Sequence, residues 1–228
     1  MRMRALTLLL FACATLTACG ARSDAGRGVR ASALTNSTTQ PQASRTSANT
    51  SVATGVRPLV TEDEAINRRP LKLPLTEPKI VVEKAARRLT LYSNGERVRV
   101  FGVALGFEPA GDKVKQGDGR TPEGDFYVCM KNERSKFYLS LGLSYPNAED
   151  AERGLRDGLI TRAQHKQIID AIGRGAKPPW NTPLGGEIFI HGGGASSDWT
   201  WGCVALANEN IKELFDAVPL GTNVRIEH

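Results

Sequence analysis

Apolar residues follow two regimes along this chain. They are sparse before residue 79 and strongly patterned after it. "KIVVEK" is a short apolar run of strand length. "RRLTLYSNGERVRVFGVALG" alternates apolar and polar residues on both sides of Asn94-Gly95, and Asn-Gly between alternating runs is the strongest short-range hairpin signal. "GDGRTPEGDFYVCMK" reads as a Gly/Pro-rich loop entering a strand with Phe126, Val128 and Met130 on one face. "FYLSLGLSYP" alternates again, "GEIFIHGG" is a strand ending in a turn, and "GTNVRIE" is a closing strand. Strands dominate, so the pattern predicts a mainly β domain.

Two segments switch to helical spacing. Over residues 148–172 the apolar set is Leu155, Leu159, Ile168, Ile169 and Ile172, with acids and bases between them. The pattern predicts a break at Asp157-Gly158 and a restart with Thr161 as N-cap. This helical insertion is either a lid or a structural hairpin. A second helix is predicted over about 208–218, with Asn208 as N-cap and Ile211, Leu214, Phe215 and Val218 as one stripe.

Upstream of the patterned region, residues 21–56 are Ser, Thr, Ala, Asn, Gln, Gly and Arg with almost no large apolar side chain. Such a segment cannot bury enough apolar surface to offset its ordering entropy, so disorder is expected. A flexible tether of about 40 residues has an r.m.s. reach of roughly 35 Å. "TEDEAINRR" carries a short helix signal with Thr61 as N-cap, and "PLKLPLTEP" reads as extended. Residues 20–78 are therefore taken as linker and lead-in, and residues 79–227 as the folded domain.

The first residues, "MRMRALTLLLFACATLTAC", place Arg2 and Arg4 before an apolar run that is too short to span a bilayer. This is the layout of a secretory signal over residues 1–18. "LTAC" at residues 16–19, followed by Gly20, resembles the lipobox of bacterial lipoproteins. That resemblance implies cleavage before Cys19, a diacylglyceryl group on its sulfur, and a periplasmic protein anchored in the outer membrane.

The chain has 228 residues, enough for one domain with extensions, and a formal net charge of +6. Loss of Arg2 and Arg4 with the signal leaves 28 basic against 24 acidic residues, a net of +4. Mild basicity suits an envelope protein working near anionic polymers. No basic helix or basic run interleaved with aromatics points to nucleic acid. Apart from Cys13 and Cys19, only Cys129 and Cys203 remain for the fold. They are either one disulfide or one reactive thiol with a silent second cysteine. No CxxC pairs or His/Cys cluster call for zinc, and no cofactor is implied.

The candidate chemistry lies in "IFIHGGG" and "DWTWGCVAL". His191 ends a predicted strand, and Cys203 follows Gly202 in a polar, Trp-rich loop. A cysteine nucleophile needs a nearby imidazole to take its proton. It also needs backbone amides beside it to hold an oxyanion, for which Gly202, Cys203, Gly192 and Gly193 are candidates. A strand-end histidine and a small buried thiol are the competing reading. Trp199 and Trp201 either line a groove or pack beneath the loop.

The ordered motifs "GDGRTPEGDFYVC", "LSLGLSYP", "IFIHGGG" and "DWTWGCVALANENIKELFDAVPLGTNVRI" resemble the L,D-transpeptidase (YkuD) catalytic domain over about residues 79–227. The resemblance implies a β-sandwich of mixed sheets with the site in a cleft. It implies attack by Cys203 on the meso-diaminopimelate–D-Ala bond of a peptidoglycan stem peptide, with His191 as base. An amine acceptor or water would then resolve the acyl-enzyme. Many members have Ser/Thr-His-Gly-Cys and an Arg two residues on. Here Thr200 matches, but Trp201 replaces the His and Ala205 stands where the Arg would be. Arg120 is the candidate substitute cation for a substrate carboxylate. The altered stretch keeps open a hydrolase on the same site, releasing stem-peptide residues or wall-linked protein. A non-catalytic peptidoglycan-binding lipoprotein is a further alternative. Cys129, within an apolar strand, is expected to be buried and inert.

Overall fold

The computed structural model describes residues 60–228. The expected signal, the expected lipobox with Cys19 and the expected linker up to residue 59 lie outside the described residues. The elements are, in order, helix α1 (Glu62–Asn67), strands β1 (Lys79–Glu83), β2 (Arg88–Ser93), β3 (Glu96–Gly102), β4 (Gly124–Ser135) and β5 (Tyr138–Leu143), helices α2 (Ala148–Arg156) and α3 (Arg162–Gly173), strands β6 (Phe189–His191) and β7 (Val204–Ala205), helix α4 (Asn208–Ala217), and strand β8 (Asn223–Glu227).

The strands form one mixed sheet in the order β3-β2-β1-β8-β4-β5-β6-β7. The β2–β3 hairpin turns at Asn94 (φ 50°) and Gly95 (φ 76°), both left-handed. A two-residue hairpin needs that twist to follow its strands. β8 is central, parallel to β1 and antiparallel to β4. β4 serves two partners: residues 124–127 pair with β8, and the register from Val128 onward belongs to β5, with an irregularity between Val128 and Met130. That shift bends the sheet. The two mixed layers expected from the sequence are thus halves of one curled sheet. Its far edges meet. Ala104, just past β3, exchanges backbone hydrogen bonds with Ala205 of β7 at 2.9 and 2.8 Å. Backbone groups that an open edge would expose are used up there.

The curl encloses a core of Ile80, Leu91, Val128, Leu141, Ile190 and Val204, closed by Ile211, Leu214 and Phe215 of α4. Each fully buried aliphatic side chain of this size contributes about 1.5–3 kcal/mol. The lead-in packs against this body. Thr61 caps α1 in a capping box, Ile66 is buried, and the Asn67 amide bonds the Val100 N–H (2.8 Å) and carbonyl (2.6 Å). The folded unit therefore starts near Thr61, earlier than residue 79.

The helical insertion breaks at Asp157 and Gly158 (φ +71°). Capping boxes at Asn147 and Thr161 start its two helices. It has its own small core of Ala151, Ile160, Ile168 and Leu184. Arg153 ties it to the preceding loop through Asp112 (2.7 Å) and the Lys113 carbonyl (2.8 Å). α4 differs from expectation at its start. Ala207 occupies the cap position without a side-chain bond, and Asn208 is the first helical residue. The Asn208 side chain instead accepts the Gly193 amide at 2.9 Å, so a tertiary contact has displaced the local cap.

Candidate active site

β6 and β7 run parallel, with Ile190 opposite Val204 and His191 opposite Ala205. Cys203, one residue before β7, therefore stands beside Phe189. Residues two apart on a strand share a face, so Phe189, His191 and Cys203 present their side chains on one side. His191 and Cys203 line the same cavity of about 380 Å³. The sulfur also lines a second cavity of about 250 Å³, with Lys113, Gln116 and Trp201. It sits where the two meet.

Gly202 is at φ +122°, and a Cβ there would lie 2.5 Å from the Arg120 carbonyl oxygen. Only glycine permits this approach. The Gly/Pro-rich loop that presses on it is itself braced. Thr121 Oγ1 accepts the Gly106 amide at 2.9 Å, and buried Lys84 bonds the Thr121 carbonyl (3.0 Å) and Glu123 (2.8 Å). Thr200 Oγ1 donates to the Cys203 carbonyl (2.8 Å) and accepts the Gly202 amide (3.1 Å). Thr200 therefore shapes the nucleophile loop from within, and its buried hydroxyl is spent on that task. Asp198 anchors the loop from the other end, accepting the Leu105 amide (2.8 Å) and pairing with Arg87 (2.6 Å).

His191 is buried. Its Nδ1 lies 2.6 Å from the Gly192 carbonyl. A carbonyl can only accept, so Nδ1 carries the proton and Nε2 keeps its lone pair. Phe137 stacks on the ring with centroids 4.5 Å apart, and Trp199 meets it edge-on at 5.5 Å. Trp199 thus packs in the loop. Trp201 is 69% exposed, held edge-on to Phe107 at 4.3 Å, and walls the smaller cavity.

The Phe189 amide donates to Cys203 Sγ at 3.4 Å, and the thiol reaches the Glu187 carbonyl at 3.6 Å. No hydrogen bond joins the sulfur to His191 in this conformation. Burial pushes the Cys203 thiol up to about 11, with the Phe189 amide and Lys113 opposing and Glu187 adding to the rise. Burial also pulls His191 below its ordinary 6.5, against the Gly192 hydrogen bond. The pair therefore rests as thiol and neutral imidazole.

Of the candidate oxyanion amides, Gly192 bonds the Leu139 carbonyl (3.3 Å), Gly193 bonds Asn208 and Gly202 bonds Thr200. Among the described residues, the Cys203 amide has no partner. Arg120 lines neither cavity. Its guanidinium turns to the Asp112 carbonyl at 3.4 Å, and only its backbone meets the nucleophile loop. The cation beside the sulfur is Lys113, buried and paired with Asp118 at 2.7 Å. Ala205 is fully buried between β6 and the Ala104 bridge. Cys129 and Cys203 are both free thiols, and Cys129 donates to the Gly142 carbonyl at 3.3 Å. Phe137, Lys113, Asp198 and Glu187 escaped the sequence reading, and Asn208 was read there only as a helix cap. Of these, only Asp198, a lone acid inside the Trp-rich loop, stood close enough to the motif to be noticed.

No curated protein sequence matches the chain. Its fold is similar to that of solved structures. Among them are an L,D-transpeptidase from Xylanimonas cellulosilytica DSM 15894 (17% identity, TM-score 0.40, covering 70% of this chain and 64% of that one), the helical cell shape determining protein Pgp2 from Campylobacter jejuni (19%, 0.44, 72% and 53%), and an L,D-transpeptidase from Mycobacterium smegmatis (13%, 0.40, 67% and 59%). The chain spans about half to two thirds of the length of these structures. The profile of the L,D-transpeptidase catalytic domain, YkuD, matches residues 77–226, with His191 and Cys203 inside the match. The chain belongs to the L,D-transpeptidase catalytic-domain family.

Proposed function

We propose that this protein transfers an acyl group from a peptidoglycan stem peptide through Cys203, with His191 as the base. The observation that carries the reading is the shared cavity, in which a nucleophilic sulfur and an imidazole of fixed tautomer face the same space. Rotation about the Cys203 Cα–Cβ bond moves the thiol from the Glu187 carbonyl toward His191. Nε2 takes the proton as sulfur attacks the carbonyl carbon between meso-diaminopimelate and D-Ala. The Cys203 amide faces the oxyanion. The C–N bond then breaks, His191 returns the proton to the departing D-Ala amine, and a thioester remains. An acceptor amine attacks it, gives its proton to His191, and the thiol is regenerated. A neutral pair suits this route, because the charges arise only as the reaction proceeds.

Two cavities meeting at one sulfur favour transfer over hydrolysis, since donor and acceptor each have a side to occupy. The altered loop supports the same site acting on a donor bound without the usual arginine. The lipobox at residues 16–19 supports anchoring through Cys19 in the outer membrane, with the domain in the periplasm. Incubation of the purified domain with tetrapeptide muropeptides tests the reading. Cross-linked dimers indicate transfer, and free tripeptides indicate hydrolysis. Products that persist in Cys203→Ala would refute both, and binding without products would leave a wall-binding protein.

A further inference from the structure

A charged cluster that the chemistry above does not use lies where helix α2 meets the loop of residues 111–123. Arg153 is its centre. Nη1 donates to Asp112 (2.7 Å), and Nη2 donates to Asp150 (2.6 Å) and to the Lys113 carbonyl (2.8 Å). Asp150 is buried and fixed by its capping box with Asn147, so one side of this grip is anchored in the insertion. The other side organises the loop. Asp112 also accepts the Glu123 amide at 2.7 Å, which joins the two ends of the loop. Asp118 accepts the Val114, Lys115 and Arg120 amides (2.8, 3.0 and 3.1 Å) and pairs with Lys113 Nζ at 2.7 Å.

This loop walls the smaller cavity at the sulfur. Lys113 and Gln116 line it together with Cys203, as does the segment Gly185–Ile188. Asp118 is not among the described residues that line either cavity, so the wall carries the ammonium without its partner carboxylate. Lys113 is buried, and its charge favours the thiolate form of Cys203. The insertion holds the second segment as well. A Cβ on Gly154, the residue after Arg153, would lie 2.8 Å from Leu184 Cδ2, and the Gln116 amide donates to the Pro183 carbonyl at 2.9 Å. Consecutive residues of α2 thus brace the two stretches of chain that frame this cavity.

We propose that Arg153 is a positioning residue for the cysteine chemistry: by gripping Asp112 and the Lys113 backbone it keeps the Lys113 ammonium in the wall of the smaller cavity, where it stabilises the negative charge that forms on Cys203. The step served is transfer of the thiol proton to His191 Nε2, which leaves a thiolate whose energy a cation in the wall lowers. The helical insertion is then a brace that sets the charge felt by the sulfur, not a cover that opens. Its role in turnover rests on the acyl-transfer reading; its effect on the resting sulfur does not.

Two alkylating agents of similar size test this without substrate. Iodoacetamide is neutral and iodoacetate is an anion, and both react with the thiolate. The ratio of their rates at Cys203 therefore cancels thiolate fraction and access, and reports the local charge. Peptide mapping of the full chain, at low salt and one pH, gives that ratio with Cys129 as the internal reference. Arg153→Met should lower the iodoacetate-to-iodoacetamide ratio about threefold or more, as should Lys113→Met. Arg153→Lys keeps the charge but loses the two-pronged grip, and should lower it too. The double variant should match Lys113→Met to within about 1.5-fold, because Arg153 acts through Lys113. Thermal melting checks each variant; if Arg153→Met melts below the assay temperature, Asp112→Asn cuts the same link and takes its place. An unchanged ratio in the folded variant, or a further drop in the double variant, overturns the inference. D-Ala release from a stem tetrapeptide is scored separately and should lose kcat with KM held within about twofold. A ratio that shifts as expected in a protein that releases no D-Ala would refute acyl transfer and leave the positioning role standing.

Discussion

A thiol raised from 9.0 to about 11 by burial makes a quantitative prediction for Cys203 in the resting protein. At pH 7 the shift lowers its thiolate fraction about a hundredfold relative to an ordinary thiol. Since the thiolate is the alkylated form, iodoacetamide should modify Cys203 in the native protein about a hundred times more slowly than in the denatured chain. The rate should climb about tenfold for each step in pH up to about 11. The structure supplies the reason: Sγ is held against the Phe189 amide and Glu187 carbonyl, and no imidazolium stands beside it. Peptide mapping by mass spectrometry separates Cys203 from Cys129, whose thiol burial likewise pushes up to about 11. His191→Ala should leave the resting rate within about threefold. A rate that is fast and flat from pH 6 to 9, and that collapses in His191→Ala, would refute the neutral pair and indicate a standing thiolate–imidazolium.

Three further outcomes follow. His191 is depressed by burial, so the neutral ring is favoured by folding. Its contribution is full above pH 6.5 and is lost as pH falls through the lower folded value. The acid limb of kcat/KM should therefore fall below pH 6.5, and a limb at or above 6.5 would contradict the burial argument. Gly202→Ala combines a φ of +122° with a Cβ 2.5 Å from the Arg120 oxygen, and should cost about 2–5 kcal/mol in urea unfolding; a loss under about 0.5 kcal/mol would mean that the loop yields easily. Asp198→Ala strips the Leu105 amide and Arg87 of their acceptor and should cost about 1–3 kcal/mol, with slower turnover as the Trp-rich loop loosens; unchanged stability and turnover would remove the anchoring role.

What could be read from the sequence was local. Asn94-Gly95 announces its hairpin because the left-handed turn is a property of two residues. Thr61 and Thr161 announce their helices because a capping box spans four residues. Asn208 misled for the same reason. Its best local partner was a helix terminus, but the Gly193 amide, fifteen residues away, claims it. The closure of Ala104 on Ala205 depends on the curl of the whole sheet. It could not be seen in either segment, and neither could the burial of Ala205. Cys203 and His191 were recognisable through glycine-flanked motifs. Their protonation was not, because desolvation is set by packing from β5, β6 and the nucleophile loop together. Arg120 was a plausible cation by proximity in sequence, whereas Lys113, seven residues earlier, is the one the fold brings to the sulfur.

The central claim is that a substrate acyl group passes through one sulfur. Intact-protein and peptide mass spectrometry after brief mixing with a stem tetrapeptide tests it most directly. The account predicts a thioester adduct of the tripeptide acyl mass on the Cys203 peptide, appearing with one equivalent of D-Ala and absent from Cys203→Ala. D-Ala released with no adduct at any time, or released equally by Cys203→Ala, would contradict it.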